Sequence, residues 1–177
     1  MTFGDRVVGA LKLEESAFED VERDPNAIGQ AIAVIVLGAI SSGIGWIAYG
    51  GLRHIVSGAF TSLLGVMLFS VLVWLVGTRL MPAPTTQADF PQTFRTVGFA
   101  AAPTLAGFIT IIPILGWLLW MLIVLWQIAA AVIAVKAVLD YTDIGRAILV
   151  VLISAVIAWC VAIFLLIPLI GLRWMLG

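Results

Sequence analysis

Charge is scarce in this chain. Only 11% of its 177 residues are Asp, Glu, Lys or Arg, whereas soluble domains carry about 25%. That shortage excludes a soluble enzyme. Disorder is excluded as well, because it requires low hydrophobicity and 63% of these residues are hydrophobic. Nine basic residues against ten acidic ones leave a net charge of −1, so the basic footprint of a nucleic-acid-binding protein is missing. Cys160 is the one cysteine. It rules out an internal disulfide and any multi-cysteine metal site, and it reads as a small packing residue. No glycine loop is placed where it could cradle a phosphate, since Gly43, Gly45, Gly50 and Gly51 fall near the end of a membrane helix.

What remains is long apolar runs. Residues 25–52, 54–78, 96–135 and 147–172 contain no Asp, Glu, Lys or Arg. A bilayer core of about 30 Å takes roughly 20 helical residues, so three of these runs suit one crossing each. The run over 96–135 is about two crossings long and holds Ile112-Pro113-Ile114-Leu115-Gly116 near its middle. Proline removes a backbone donor and glycine ends helices readily, so this run predicts a tight helical hairpin. The expected fold is an all-α polytopic membrane bundle of five helices, near 26–49, 55–79, 96–113, 116–139 and 147–170. A β-barrel is excluded, because its strands alternate apolar and polar residues.

Five crossings put the termini on opposite sides. Arg6, Lys12, Arg23, Arg79, Arg95, Lys136 and Arg146 fall on the N-terminal side, and only Arg53 and Arg173 on the other. The excess of Lys and Arg predicts a cytoplasmic N-terminus and an outward-facing C-terminus. Trp46, Tyr49, Trp117 and Trp174 then sit at outer helix ends and Tyr141 at an inner one, as interfacial aromatics do. Trp126 and Trp159 lie deeper and read as packing. The outer connections, 50–54 and 113–116, are too short for a domain. No cleavable signal peptide is expected, since the first 25 residues are acidic and lack an apolar core.

Residues 1–24 form a separate segment ahead of the spanning domain at 25–177. They hold seven acids and three bases. Phe3, Val7, Val8 and Leu11 recur at helical spacing and predict a short amphipathic helix. Ser16 and Glu19 have the spacing of a capping box, which would start a second helix carrying Phe18 and Val21. Asp24-Pro25 then reads as the start of the first span. The segment either packs on its own bundle or docks a partner. An acidic helix is a poor binder of anionic lipid, so its polar face should meet water or a basic partner.

Within the spans, small residues predict close helix contacts: Gly38, Ser42 and Gly45 in the first, Gly58 and Ser62 in the second. They serve internal packing or a homo-oligomer. Pro103 predicts a kink in the third span or, alternatively, a broken helix lining a cavity. Gln127 is the most polar residue near a span centre, either interhelical hydrogen-bond glue or a pore or ligand contact. No charged residue lies deep in a span, which argues against a proton-coupled carrier. His54, at the outer boundary away from every acid, completes no Ser/His/Asp set. Lys136, Asp140, Asp143 and Arg146 cluster at the inner connection, with Lys136 and Asp140 spaced for an ion pair. No catalytic, cofactor or metal residues are expected.

Phe94-Arg95-x-x-Gly98-Phe99-Ala100-x-x-Pro103 resembles the start of the third span in the Yip domain family, small multi-span membrane proteins whose eukaryotic members were named for interacting with Rab-type GTPases. Ile112–Trp117 is similar to that family's hairpin between its third and fourth spans. Ala137-x-Leu139-Asp140 with Gly145-Arg146-Ala147 resembles its inner loop. The compact chain, with only about 25 residues before the first span, looks like prokaryotic members, which implies a cytoplasmic (inner) membrane location. The expected function is a non-enzymatic scaffold that organises membrane or partner proteins. The contact candidates are Phe3, Val7, Leu11, Phe18, Val21, Arg95, Asp140 and Arg146, within the N-terminal segment and the inner connections at 80–95 and 140–146. Pro103, Pro113 and Gly116 are expected to shape the packing. An accessory subunit of a larger membrane complex and a small passive channel or carrier are the alternatives. Expected partners are membrane lipid and other membrane or cytoplasmic proteins, with homo-oligomers possible.

Overall fold

The computed structural model describes the backbone of residues 1–176 and the side chains of residues 1–47 and 55–164. The sequence readings at Tyr49, Arg53, His54, Arg173 and Trp174 fall on side chains outside the described residues.

Two short helices come first, α1 (Phe3–Leu11) and α2 (Glu15–Arg23). α1 starts at a capping box: the Asp5 amide donates to Thr2 Oγ1 at 3.2 Å and the Thr2 amide to Asp5 Oδ2 at 3.0 Å. The box expected from Ser16 and Glu19 is not formed. Leu13 turns the chain with φ 62, α2 already begins at Glu15, and no side chain caps it. Ser16 therefore lies within the first turn rather than ahead of it. Asp24 likewise stands before the helix that follows, which starts at Ala27.

The rest is an all-α polytopic helical bundle. Among the described residues, five helices are long and apolar enough to cross a membrane. They are α3 (Ala27–Gly45), α4 (Ile47–Leu75, extended by a π-helical turn Val76–Leu80), α5 (Phe90–Phe99) continuing as a 3-10 segment (Ala102–Ile111), α6 (Gly116–Val138) and α7 (Ile144–Leu176). The ring α3, 3-10 segment, α6, α7, α4 is in contact all round, and α5 packs against α2, α3, α4 and α6.

Three boundaries differ from expectation. The turn between the first two spans lies at Trp46, not at 50–54, whose backbone is helical. It can be this tight because a Cβ on Gly43 would collide with Ile55 of the next helix, so only glycine lets the two backbones approach. The third span begins at Phe90 rather than 96. Asp89 and Gln92 form a reciprocal capping box, with Pro91 in the first turn. Arg95, read as a boundary because it is charged, sits inside that helix. Third, Pro103 does not merely kink this span. α-Helical geometry ends at Phe99, and ten residues follow as 3-10 helix, a long run for that conformation. Proline cannot donate the next helical bond. The Thr104 and Thr110 hydroxyls donate to the Ala101 and Gly107 carbonyls at 2.7 and 2.8 Å instead, the kind of repair a membrane interior demands.

The expected hairpin at Pro113–Gly116 is present, with Ile114 at its tip in the left-handed region (φ 69). Gly116 is required there, because a Cβ would run into the Thr110 carbonyl.

The small-residue seam of α3 is occupied internally. A Cβ on Gly38 would strike Thr104, and one on Gly45 would strike Thr110 and the Gly107 carbonyl. Between them Ser41 Oγ donates to the Leu105 carbonyl at 2.8 Å and accepts the Phe108 amide at 3.0 Å. The second seam is different. A Cβ on Gly58 or Gly65 meets nothing within 4 Å.

Candidate functional site

The face that carries α1 and α2 is organised by two guanidinium groups. Arg6, 5% exposed, uses its whole fork. Its Nε donates to Asp20 at 2.7 Å, Nη1 to the Gln30 amide oxygen at 2.8 Å and Nη2 to Asp24 at 2.8 Å. One side chain of α1 thereby fixes both the end of α2 and the start of α3. Arginine alone can do this, because its five donors point in fixed directions. These bonds hold the Asp20 and Asp24 carboxyls below the usual carboxylate range; the Asn26 amide adds to the effect on Asp24.

Arg95, also 5% exposed, projects from α5 onto the C-terminal end of α2. Its Nε lies 3.0 Å from the carbonyls of both Val21 and Glu22, and Nη2 donates to the Glu22 carbonyl as well. A cation on the last carbonyls of a helix satisfies otherwise orphaned acceptors and complements the helix dipole. Beneath it Phe18 and Val21 are fully buried in the core shared with α3, α5 and α6. Two further contacts pin the segment to α6. Trp126 Nε1 donates to the Leu11 carbonyl at 2.9 Å, and Lys136 Nζ reaches both carboxylate oxygens of Glu15 at 2.6 and 2.7 Å. Lys136 is therefore paired with α2, not with Asp140. The Lys136–Asp140 pair fails because α6 ends at Val138 and Asp140 adopts φ 51, which turns it off the helix face.

The two connections on this face are stitched together. Tyr141 donates its hydroxyl to the Met81 carbonyl at 2.6 Å, close to the Gly77 carbonyl, against the π-helical turn. Burial pushes its pKa up. The Thr85 and Thr86 hydroxyls donate to the Asp140 and Leu139 carbonyls at 3.1 and 2.7 Å, and Trp74 Nε1 to the Ala88 carbonyl at 3.2 Å. Between α2 and these connections lies an open, mainly polar cleft of about 600 Å³, with Glu15, Glu19, Thr85, Gln87, Lys136 and Asp140 among its walls. Among the described residues Glu19 is tied only to the exposed Arg23, at 3.1 Å. The Asp140 carboxylate accepts no hydrogen bond among the described residues. Glu22 lies close enough to repel it: burial, and next the Asp140 charge, raises the Glu22 pKa.

Of the contact candidates read from sequence, Phe18, Val21 and Arg95 are buried within the chain itself, so as it stands they present nothing to a partner. Val7 and Leu11 are half-buried against the same core. Phe3 is 38% exposed and packs edge-on to Phe99 at 6.3 Å. Asp140 and Arg146 are exposed. The N-terminal segment and the two connections do converge on one cleft. Sequence reasoning missed Glu15, Glu19, Lys136 and the threonines as its walls. Only the spacing of Lys136 and Asp140 hinted at the place.

Gln127 forms no hydrogen bond among the described residues. It lines a cavity of about 330 Å³ within the spanning region, together with Ser42, Ser62, Phe69, Ala101 and Thr104. A smaller void of about 60 Å³ shares Ser42, Thr104 and Gln127. Among the described residues no group of His, Cys, Asp or Glu is arranged to hold a metal ion.

The family model described as Yip1 domain matches residues 9–169. No curated protein and no solved structure matches the chain.

Proposed function

The chain belongs to the Yip1 domain family and is an integral membrane protein, and from that premise we propose that it is a non-enzymatic scaffold whose N-terminal face receives a partner protein. The observation that carries the reading is the cleft between α2 and the two connections. Its walls are fixed by Arg6, Arg95 and Tyr141, while the repulsion between Glu22 and Asp140 is offset in part by Arg23 and Arg95. A basic side chain from a partner would relieve it, so the partner's contact segment carries Lys or Arg. We take residues 1–24 as the segment that builds this face and 25–177 as the spanning domain. The N-terminus faces the cytoplasm of a prokaryotic-type cell, in agreement with the seven-to-two bias of basic residues.

The test is purification from native membranes in mild detergent. Wild type is compared with a Glu19→Gln/Asp140→Asn double variant and with Trp159→Ala on the far side of the bundle. A stoichiometric partner lost only in the double variant supports the reading. A partner retained by the double variant but lost in Trp159→Ala would favour an accessory subunit held through its helices. A protein that comes off alone in every case overturns both. Deleting residues 1–22 is a poorer test, because it also strips Arg95 of its acceptors.

A further inference from the structure

The intramembrane cavity has three properties that together point to a ligand. First, its lining contains no Asp, Glu, Lys, Arg or His. A charged group would be unpaired there, in a medium where that is costly. Second, its four polar side chains divide into two kinds. Ser42 and Thr104 are committed to carbonyls of the 3-10 segment, at Thr104 and Ala101. Ser62 of α4 and Gln127 of α6 form no hydrogen bond among the described residues, yet both line the cavity. A free amide and a free hydroxyl inside a bilayer are polar groups lacking the partner that a low-dielectric setting requires. Third, the cavity is open to the bilayer. α4 and α6 face each other across it, and no described residue of α7 lines it. α7 does pack on the bundle near Ala147, Val150 and Ser154. Beyond them Val156, Trp159 and Phe164 are 62%, 72% and 78% exposed, so among the described residues α7 does not close the gap.

We propose that this cavity binds a neutral, bilayer-soluble molecule that carries a hydroxyl or carbonyl oxygen on an apolar body, entering sideways between α4 and α6. Gln127 and Ser62 hydrogen-bond the oxygen, and Ile35, Val66, Phe69 and Val97 surround the apolar part. The size is adequate: a cavity of about 150 Å³ suffices for benzene, and ligand pockets begin at about 300 Å³. Ala100, Ala101 and Thr104, at the break in the third span, form one wall. The inference is independent of the partner cleft, which lies on the N-terminal face.

Gly65 supplies a clean perturbation. It lines the cavity, and a Cβ there meets nothing within 4 Å, so Gly65→Leu adds bulk at the cavity wall with no clash at its first side-chain atom. The probe is hexadecanol carrying a photoreactive diazirine, added to the full-length protein in uncharged phosphatidylcholine vesicles. Saturable labelling is expected on peptides of α4 and α6. Unlabelled hexadecanol should compete and hexadecane should not. Labelling should fall about tenfold in Gly65→Leu and about fivefold in Gln127→Leu, with thermal unfolding of Gly65→Leu close to wild type. Competition by hexadecane as strong as by hexadecanol would overturn the proposal, because the cavity would then hold any lipid tail. Labelling spread evenly over all lipid-facing helices, or undiminished in Gly65→Leu, would overturn it too. Water filling the cavity instead would appear as this last result.

Discussion

The two ends of this bundle are held by different forces. At the N-terminal face, directional polar contacts join one element to the next: Arg6 to Asp20, Asp24 and Gln30, Arg95 to the end of α2, Tyr141 to Met81. Its polar residues Arg6, Thr93, Arg95 and Thr96 are buried. Toward the opposite face, α4, α6 and α7 expose Phe60, Leu64, Trp117, Leu122 and Trp159, and a Cβ on Gly58 or Gly65 would meet nothing within 4 Å. Lipid tails are as apolar as leucine and give no drive for helices to associate. The far end is therefore held by the α3 seam and the hairpin at Pro113, and the near end by a clamp. The near end should set the stability of the whole, while the far end is free to open; the cavity lies between the two, lined by mid-span residues such as Ile35, Phe69, Val97 and Gln127.

The largest effect should come from Phe18→Ala. The ring is fully buried between α2 and the bundle, and deletions of this kind cost about 3–5 kcal/mol. Arg95→Ala should approach it, at about 3 kcal/mol, since the Val21 and Glu22 carbonyls lose a charged donor in a dry site. Phe60→Ala on the exposed side of α4 should cost under about 1 kcal/mol. Denaturation in detergent, followed by tryptophan fluorescence, measures all three. Equal losses at Phe18 and Phe60 would erase the distinction between the ends.

The glycines offer a second contrast of intermediate size. Gly38→Val forces a side chain against Thr104, and overpacking costs about 1–3 kcal/mol. Gly58→Val points into open space and should leave the unfolding midpoint within experimental scatter. If both variants are equally destabilised, α4 has a neighbour at Gly58.

Acid should separate the groups of the clamp. The Asp20 and Asp24 carboxyls lie below their usual range when folded, so the unfolded chain takes up protons first. Their contribution is complete above about pH 4 and is lost as pH falls through the depressed folded values. Glu22 acts in the opposite sense. Its folded pKa is raised, so the folded chain takes up the proton first and stability rises as pH falls toward its usual range. Stability should therefore pass through a maximum between neutral pH and pH 4. Glu22→Gln should flatten the rise and Arg6→Gln should weaken the fall, both read from unfolding midpoints across pH.

Much of this architecture is legible in the residues. Charge-free runs give the five crossings, because length and apolarity are what a bilayer selects, although the second and third helices start earlier than those runs. Phe3, Val7 and Leu11 mark α1 by their helical spacing. Arg95 shows where that reasoning stops. Its charge looked like a boundary, yet the carbonyls that neutralise its cost lie 73 and 74 residues away on α2, and no local pattern records them. The turn at Trp46 was hidden similarly: Arg53 drew the loop toward itself, whereas the close approach of Gly43 and Ile55 decided it. Pro103 announced a disturbance, but the depth of the break depends on the Thr104 and Thr110 hydroxyls finding carbonyls within reach. The cleft was half visible. Its segments could be named, but their meeting depends on Lys136 choosing Glu15 over Asp140.

That choice gives the smallest and sharpest expectation. Lys136 is the shortest-range electrostatic tie between α2 and α6, at 2.6 Å, and it might be credited with holding the N-terminal segment in place. Its surroundings say otherwise. The Glu15 side chain is 39% exposed and Lys136 21%, so solvent screens the pair and its net worth falls to about 1 kcal/mol or less. Arg95 and Phe18 do the same task from inside the protein, where neither is screened. Lys136→Met keeps the apolar stem and removes only the charge. It is expected to shift the unfolding midpoint slightly, to lose even that shift at high salt, and to leave residues 1–24 as resistant to protease as in wild type. A loss comparable to Arg95→Ala would mean that α2 is held from its rim rather than from its buried face.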